Sequence, residues 1–134
     1  MNRTVKAGAV QFTVRLGDID ANVAYVQKAL RRLASQGCRL AVLPEMWSTG
    51  YAYKELNELA KRTPEVVAEL GRLSRELEMV IVGSMPEPHG EKVFNTAYVL
   101  DRGELLGSYR KIHLFSLMGE DRSLDGGDRW LVVD

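Results

Sequence analysis

Three side chains in this sequence could do acid–base or nucleophilic chemistry: Glu45, Lys111 and Cys38. Glu45 lies in Leu43-Pro44-Glu45-Met46-Trp47, at the end of the apolar run Leu40-Ala41-Val42-Leu43. That run reads as a short buried strand, and Pro44, which cannot donate to a sheet ladder, stops it. Glu45 then stands just past the strand's C-terminal end, the rim where open α/β sheets bind ligands. Its neighbours Met46, Trp47 and Tyr51 are large and largely apolar. A carboxylate in such company loses hydration, and its pKa is expected to rise into the range of a general base near neutral pH. The competing reading is a solvated loop glutamate.

Lys111 lies in Tyr109-Arg110-Lys111-Ile112-His113-Leu114-Phe115, at a strand end and the mouth of a long loop. A lysine in that position is ordinarily just solvated. His113 reads as a packed or hydrogen-bonded loop residue, because no second metal-type residue stands at helical or hairpin spacing. Cys38 is the single cysteine, so it has no disulfide partner within the chain. Nothing in Gly37-Cys38-Arg39 would lower its pKa, so it reads as a small apolar side chain at a helix–strand junction.

These residues need elements to position them. Residues 5–12 alternate as a strand, with small Ala7, Gly8 and Ala9 suited to close packing. Leu16-Gly17-Asp18-Ile19-Asp20 is a turn with helix-capping acids, and residues 21–36 form an amphipathic helix with Val23, Val26, Leu30 and Leu33 on one stripe. Gly37 caps it, and the strand 40–43 follows. Strand–helix–strand order implies a right-handed parallel crossover. Residues 47–53 form a loop hinged at Gly50, and residues 54–59 hold a short helix. Thr63-Pro64-Glu65 starts a helix, with Thr63 as hydroxyl cap, that runs to about residue 78 and buries Val66, Val67, Leu70, Leu73 and Leu77. The run 79–82 is a central strand ended by Gly83 and covered on both faces, and Pro86, Pro88, His89 and Gly90 mark a loop. Residues 93–100 and 104–110 are hairpin strands joined by Asp101-Arg102-Gly103. Residues 112–128 form a long loop of the kind that is usually functional or disordered, and Trp130-Leu131-Val132-Val133 looks like a strand beginning. Two helices cover one face of this sheet; the apolar residues on its other face need a partner.

Composition narrows the function classes. Eighteen basic and eighteen acidic residues cancel, with no block of like charge, so nothing points to nucleic acid or an anionic membrane as partner. No apolar stretch is long enough to span a bilayer. Met1-Asn2-Arg3-Thr4-Val5 lacks an apolar signal core, which makes the cytoplasm the expected compartment. A nucleotide-binding domain is disfavoured, since no phosphate-cradling glycine-rich loop follows the first strand and Leu16-Gly17-Asp18 is too acidic for that work.

Taken together, Pro44-Glu45-Met46 and Tyr109-Arg110-Lys111-Ile112-His113-Leu114 resemble the nitrilase superfamily of carbon–nitrogen hydrolases. Further stretches agree in order along the chain: Ala9-Val10-Gln11, Thr49-Gly50-Tyr51, Gly83-Ser84, Asn95-Thr96-Ala97, Gly119-Glu120-Asp121, and Gly126-Gly127-Asp128, which resembles the family's Pro-Gly-Asp turn without the proline. The look is nearest to the omega-amidase-type amidases. The resemblance implies an α/β fold, the N-terminal half of an α-β-β-α sandwich, with one mixed sheet and two main helices on one face. It implies Glu45 as general base, Lys111 as the positive charge that stabilises the tetrahedral oxyanion, and Glu120 as a second glutamate that orients groups or substrate. No cofactor and no metal are implied.

The family's third catalytic group is a cysteine at the end of the next strand, beyond Asp134, and Cys38 is in the wrong place to replace it. Residues 1–134 are therefore expected to be a partial domain, cut before the nucleophile strand and inactive alone. The expected partners are a small-molecule amide and either the missing C-terminal half or further copies in a homo-oligomer. The alternative is a non-catalytic remnant or interaction module that binds a partner through its exposed sheet face.

Overall fold

The computed structural model describes residues 4–134; the first three residues of the N-terminal stretch considered above lie outside them. The chain runs β1 (Ala7–Ala9), α1 (Ile19–Ser35), β2 (Leu40–Val42), α2 (Leu56–Ala60), α3 (Thr63–Glu76), β3 (Val80–His89), β4 (Lys92–Asp101) and β5 (Glu104–Arg110), followed by short 3₁₀ turns at Ser116–Met118 and Glu120–Arg122. The five strands form one sheet in sequence order. β1, β2 and β3 are parallel, and β3, β4 and β5 are antiparallel. This is the mixed α/β sheet expected.

Helix α1 begins at Asp18, whose carboxylate accepts the Ala21 N–H at 3.1 Å. It ends in a Schellman arrangement: Gly37 has φ +81, its N–H reaches Ala34 O, and the Cys38 N–H reaches Leu33 O. The apolar stripe of α1 and that of α3 meet Ala41, Ile81, Met85, Tyr98 and Leu100 in one core. Residues paired across the strands share a face, so both helices lie on the same side of the sheet. Cys38 is buried in that core, as the apolar reading requires.

On the other side, Leu40, Val80, Val82, Ala97 and Val99 are only partly covered, and Val42 is exposed. β2 is thus buried on one face, and β3 is not covered on both, contrary to expectation. The hydrophobicity of these strands is real, but only one helical layer stands against them.

Four differences from the sequence reading have a clear physical reason, beyond shifts of one or two residues at the ends of β2, α2 and α3. β1 is three residues long rather than eight, because after Val10, whose N–H still reaches Val42 O, the chain leaves the sheet. Thr63 does not cap α3; it is the first helical residue, and its hydroxyl donates to Pro86 O at 2.6 Å, tying the helix to β3. β3 runs through Pro86 and Pro88 to a hairpin turn at Gly90. The Val82 and Ser84 carbonyls accept from Leu43 and Trp47, so even-numbered backbone groups point to the β2 side. β2 has ended by then, and the missing proline donors cost no ladder bond. The last difference is at 130–133, which forms no strand; Leu131 and Val133 instead fold over Gly107 of β5. The hairpin over Arg102 and Gly103 is as expected, with φ +49 and +88 at its two central residues, the left-handed pair of a type I′ turn.

Candidate active site

Glu45 and Lys111, far apart in the chain, meet at the C-terminal end of β2. Lys111 Nζ lies 2.7 Å from Glu45 Oε1. The same ammonium lies 3.0 Å and 3.2 Å from the two oxygens of Glu120. Glu45 and Glu120, the two glutamates implied by the family resemblance, converge on the Lys111 ammonium.

Local structure explains each placement. Pro44 ends β2, and Met46 turns the chain sharply with φ +51, a left-handed conformation that a non-glycine residue adopts only when its surroundings hold it there. Here the Met46 N–H donates to Ser84 Oγ at 2.9 Å and its carbonyl accepts the Gly50 N–H at 2.7 Å. The turn drives Met46 and Trp47 into the interior, where both are fully buried, and leaves Glu45 pointing out over the rim. Trp47 lies beneath β3 against Gly83, where a Cβ would stand 3.0 Å from the indole and 2.8 Å from Leu43 Cβ. Gly83 is thus required by close approach.

Lys111 is held by its backbone on both sides. Its N–H donates to Asn95 O at 2.8 Å, and its carbonyl accepts the Gly127 N–H at 2.9 Å. Gly127 comes so near β5 that a Cβ would stand 2.3 Å from Arg110 O, which accounts for the glycine in Gly126-Gly127-Asp128. Glu120 enters through the 3₁₀ turn after Gly119; its carboxylate is buried and accepts the Phe115 N–H at 2.7 Å.

The electrostatics reverse one expectation. Burial pushes the Glu45 carboxyl up, but the Lys111 ammonium, the nearby Tyr51 hydroxyl and the Asn95 amide together outweigh it and hold Glu45 below the usual carboxylate range. Burial acts in the predicted direction, but the side chain remains 50% exposed, and the bonds from Lys111, Tyr51 and Asn95 decide the sign. Burial draws Lys111 down, yet its bonds to Glu45 and Glu120 win and hold it above the usual lysine value. Burial, then the neighbouring Glu45 carboxylate, drives the Tyr51 hydroxyl far up, so it stays protonated.

Around these groups is a cavity of about 320 Å³, lined by Glu45, Lys111, Glu120, Tyr51, Tyr53, Phe115 and Met118. It combines an ionised carboxylate, a fixed cation and apolar walls, the usual composition of a small-molecule site. The described residues contain no cluster of His, Cys, Asp or Glu that could hold a metal, and His113 is exposed rather than packed. Cys38 precedes β2 whereas Glu45 follows it, so the thiol lies at the opposite end of that strand from the carboxylate.

Sequence reasoning gave no role to Asn95, which is 2% exposed and donates to both Glu45 Oε1 (2.8 Å) and Glu120 Oε1 (3.2 Å). The available signal was an amide among apolar residues in the middle of a strand, since a buried polar group must find partners. Tyr53, Phe115 and Met118 gave no such signal, because the loops that bring them to the cavity have no period.

Known proteins resemble this chain in sequence and in fold. Residues 6–131 match the family model for carbon–nitrogen hydrolase. A nitrilase of Pyrococcus abyssi is 34% identical over 83% of this chain and 44% of its own length. A chloroplastic omega-amidase of Arabidopsis thaliana is 32% identical over 95% of this chain and 38% of its own. Among solved structures, a mutant amidase from Nesterenkonia sp. AN1, which shows Michael addition of acrylamide at its active-site cysteine, superposes with a TM-score of 0.86 at 26% identity, over 94% of this chain and 51% of that one. The chain therefore spans about half the length of the relatives it matches, or less.

Proposed function

This chain belongs to the carbon–nitrogen hydrolase family, and we propose that it carries two of the three catalytic groups of an amidase that converts an amide to an acid and ammonia. The observation that supports this most directly is the 2.7 Å contact between Lys111 Nζ and Glu45 Oε1 at the wall of an apolar-lined cavity. The nucleophile is a thiol from outside these residues, because Cys38 is buried at the far end of β2.

In this reading Glu45, ionised at neutral pH, takes the thiol proton. The thiolate attacks the amide carbon, and the electron pair of the C=O bond moves onto oxygen beside the Lys111 ammonium. A pre-placed charge of that kind is worth about 3 kcal/mol of barrier. The intermediate collapses, the C–N bond breaks, and the proton held by Glu45 leaves with the nitrogen as ammonia. Water, deprotonated by Glu45, then attacks the thioester, releases the acid and returns the thiol. Glu120 keeps Lys111 in place throughout.

The test uses a polypeptide that contains residues 1–134 together with a downstream segment supplying a cysteine. Amide hydrolysis is expected, measured as ammonia release, with loss of turnover in Glu45→Gln and in Lys111→Ala. Robust turnover in either variant refutes these roles. The second reading, a non-catalytic module that binds a partner through its open sheet face, is favoured by one observation, the exposure of Val42 in the middle of the sheet. It predicts no hydrolysis in any such polypeptide.

A further inference from the structure

We infer that Asn95 is the positioning residue of this site: its amide holds Glu45 and Glu120 as two separate carboxylates on one ammonium. This rests on the roles proposed above for Glu45 and Lys111.

One residue here bonds both carboxylates and the backbone of the lysine between them. The Asn95 carboxamide nitrogen has two hydrogens, and the two carboxylates stand within bonding distance of it, Glu45 Oε1 at 2.8 Å and Glu120 Oε1 at 3.2 Å. The Asn95 backbone carbonyl accepts the Lys111 N–H at 2.8 Å. The residue lies on β4, between β3 and β5, opposite Pro86, and is almost wholly buried. A donor carried by a central strand is more precisely placed than one on a loop.

The chemistry favours an amide here over any charged group. Glu45 and Glu120 share one lysine, so the trio carries a net charge of −1, and the two carboxylates repel. A neutral donor between them satisfies an oxygen of each without changing the net charge. An acid at this position would add a third negative charge, and a second lysine would compete for the carboxylates. Both Lys111 Nζ and Asn95 Nδ2 bond the same Glu45 oxygen, Oε1, so neither of them occupies Oε2.

Two measurements on the 134-residue chain test this without turnover. In the unmodified chain the Asn95 side-chain amide protons, followed by NMR from about pH 2 to about pH 7, are expected to shift with the same midpoint as the Glu45 carboxyl carbon. Amide protons that stay flat while Glu45 titrates overturn the inference, and this arm needs no variant to fold. In Asn95→Leu, which keeps the size and the backbone carbonyl, the Glu45 midpoint is expected to move upward; an unchanged midpoint in a folded variant overturns it. In the hydrolytic polypeptide the same substitution is expected to lower kcat about 10- to 100-fold with KM nearly unchanged, and an unchanged kcat counts against it. If the unmodified polypeptide hydrolyses no amide, the proposed function falls while both NMR arms still decide the role of Asn95.

Discussion

Replacing Lys111 with methionine isolates the cost of two carboxylates left without their shared cation. Methionine keeps most of the stem and removes only the charge. The Glu120 side chain is 2% exposed and lies 3.0 Å from Nζ, whereas Glu45 is half exposed. At that distance two unit charges attract by about 5 kcal/mol in an effective dielectric of about 20, and breaking a buried pair from one side typically costs 3–5 kcal/mol. Glu120 keeps its bonds from the Phe115 N–H and Asn95, which places the loss near the lower end, at about 3 kcal/mol. The exposed Glu45 pair adds at most about 1 kcal/mol. Such a loss is a large fraction of the about 5–15 kcal/mol typical of a folded domain, so it is readily measured. The assay is urea unfolding of the chain at pH 7 for Lys111→Met, Glu120→Gln and the double variant. If the buried charge causes the loss, removing it as well recovers part of the stability, and the coupling exceeds about 1 kcal/mol. Strictly additive losses would refute the argument and reduce the Lys111–Glu120 pair to a surface contact.

Three further outcomes follow from other parts of the structure. Gly83→Ala should lower stability by about 1–3 kcal/mol, read as a lower denaturant midpoint, because the new Cβ meets Leu43 Cβ, which is anchored to backbone. Asn22→Ala should cost about 2–3 kcal/mol by the same measurement; the buried Asn22 amide accepts from Arg15 N–H and donates to the Arg15 and Ser48 carbonyls, so it fastens the loop after Glu45 to α1. Glu87 is held below its usual 4.5, first by the hydrogen bond from Arg110, so it stabilises the fold above that value and the contribution disappears as pH falls through the lower folded pKa; stability of Glu87→Gln, measured against pH, should lack that acid-side slope, and an unchanged slope would remove Glu87 from the account.

The sequence made the site's charged groups visible for a physical reason. Lys111 directly follows β5 and Glu45 stands three residues past β2, and strand ends show in sequence as apolar runs stopped by Pro44 or by a change of period after Arg110. The hairpin at Arg102 and Gly103 and the cap at Gly37 were legible because a positive φ restricts residue type. β3 was misread because prolines ordinarily signal a loop, and only the sheet reveals that Pro86 and Pro88 face an unpaired edge. The direction of the Glu45 shift was misread because Lys111 and Asn95, distant in the chain, bond the carboxylate and with Tyr51 outweigh its burial. One left-handed residue, Met46, sends the apolar side chains inward and leaves the carboxylate to Lys111 and Asn95.

That turn also ties a site at the end of two short parallel strands to the longer strands of the sheet. β1 and β2 have three residues each and could not by themselves hold Glu45. The support comes from the antiparallel part of the sheet, where β3 and β4 pair over nine positions. Ser84 of β3 bonds the Met46 N–H from below, and Asn95 of β4 bonds the carboxylate itself and the Lys111 backbone. The long hairpin therefore sets the position of an acid that belongs to another strand. A substitution that loosens the hairpin at Ser84 should disturb Glu45 more than an equal perturbation in β1, although β1 belongs to the same parallel crossover that delivers Glu45 to the rim.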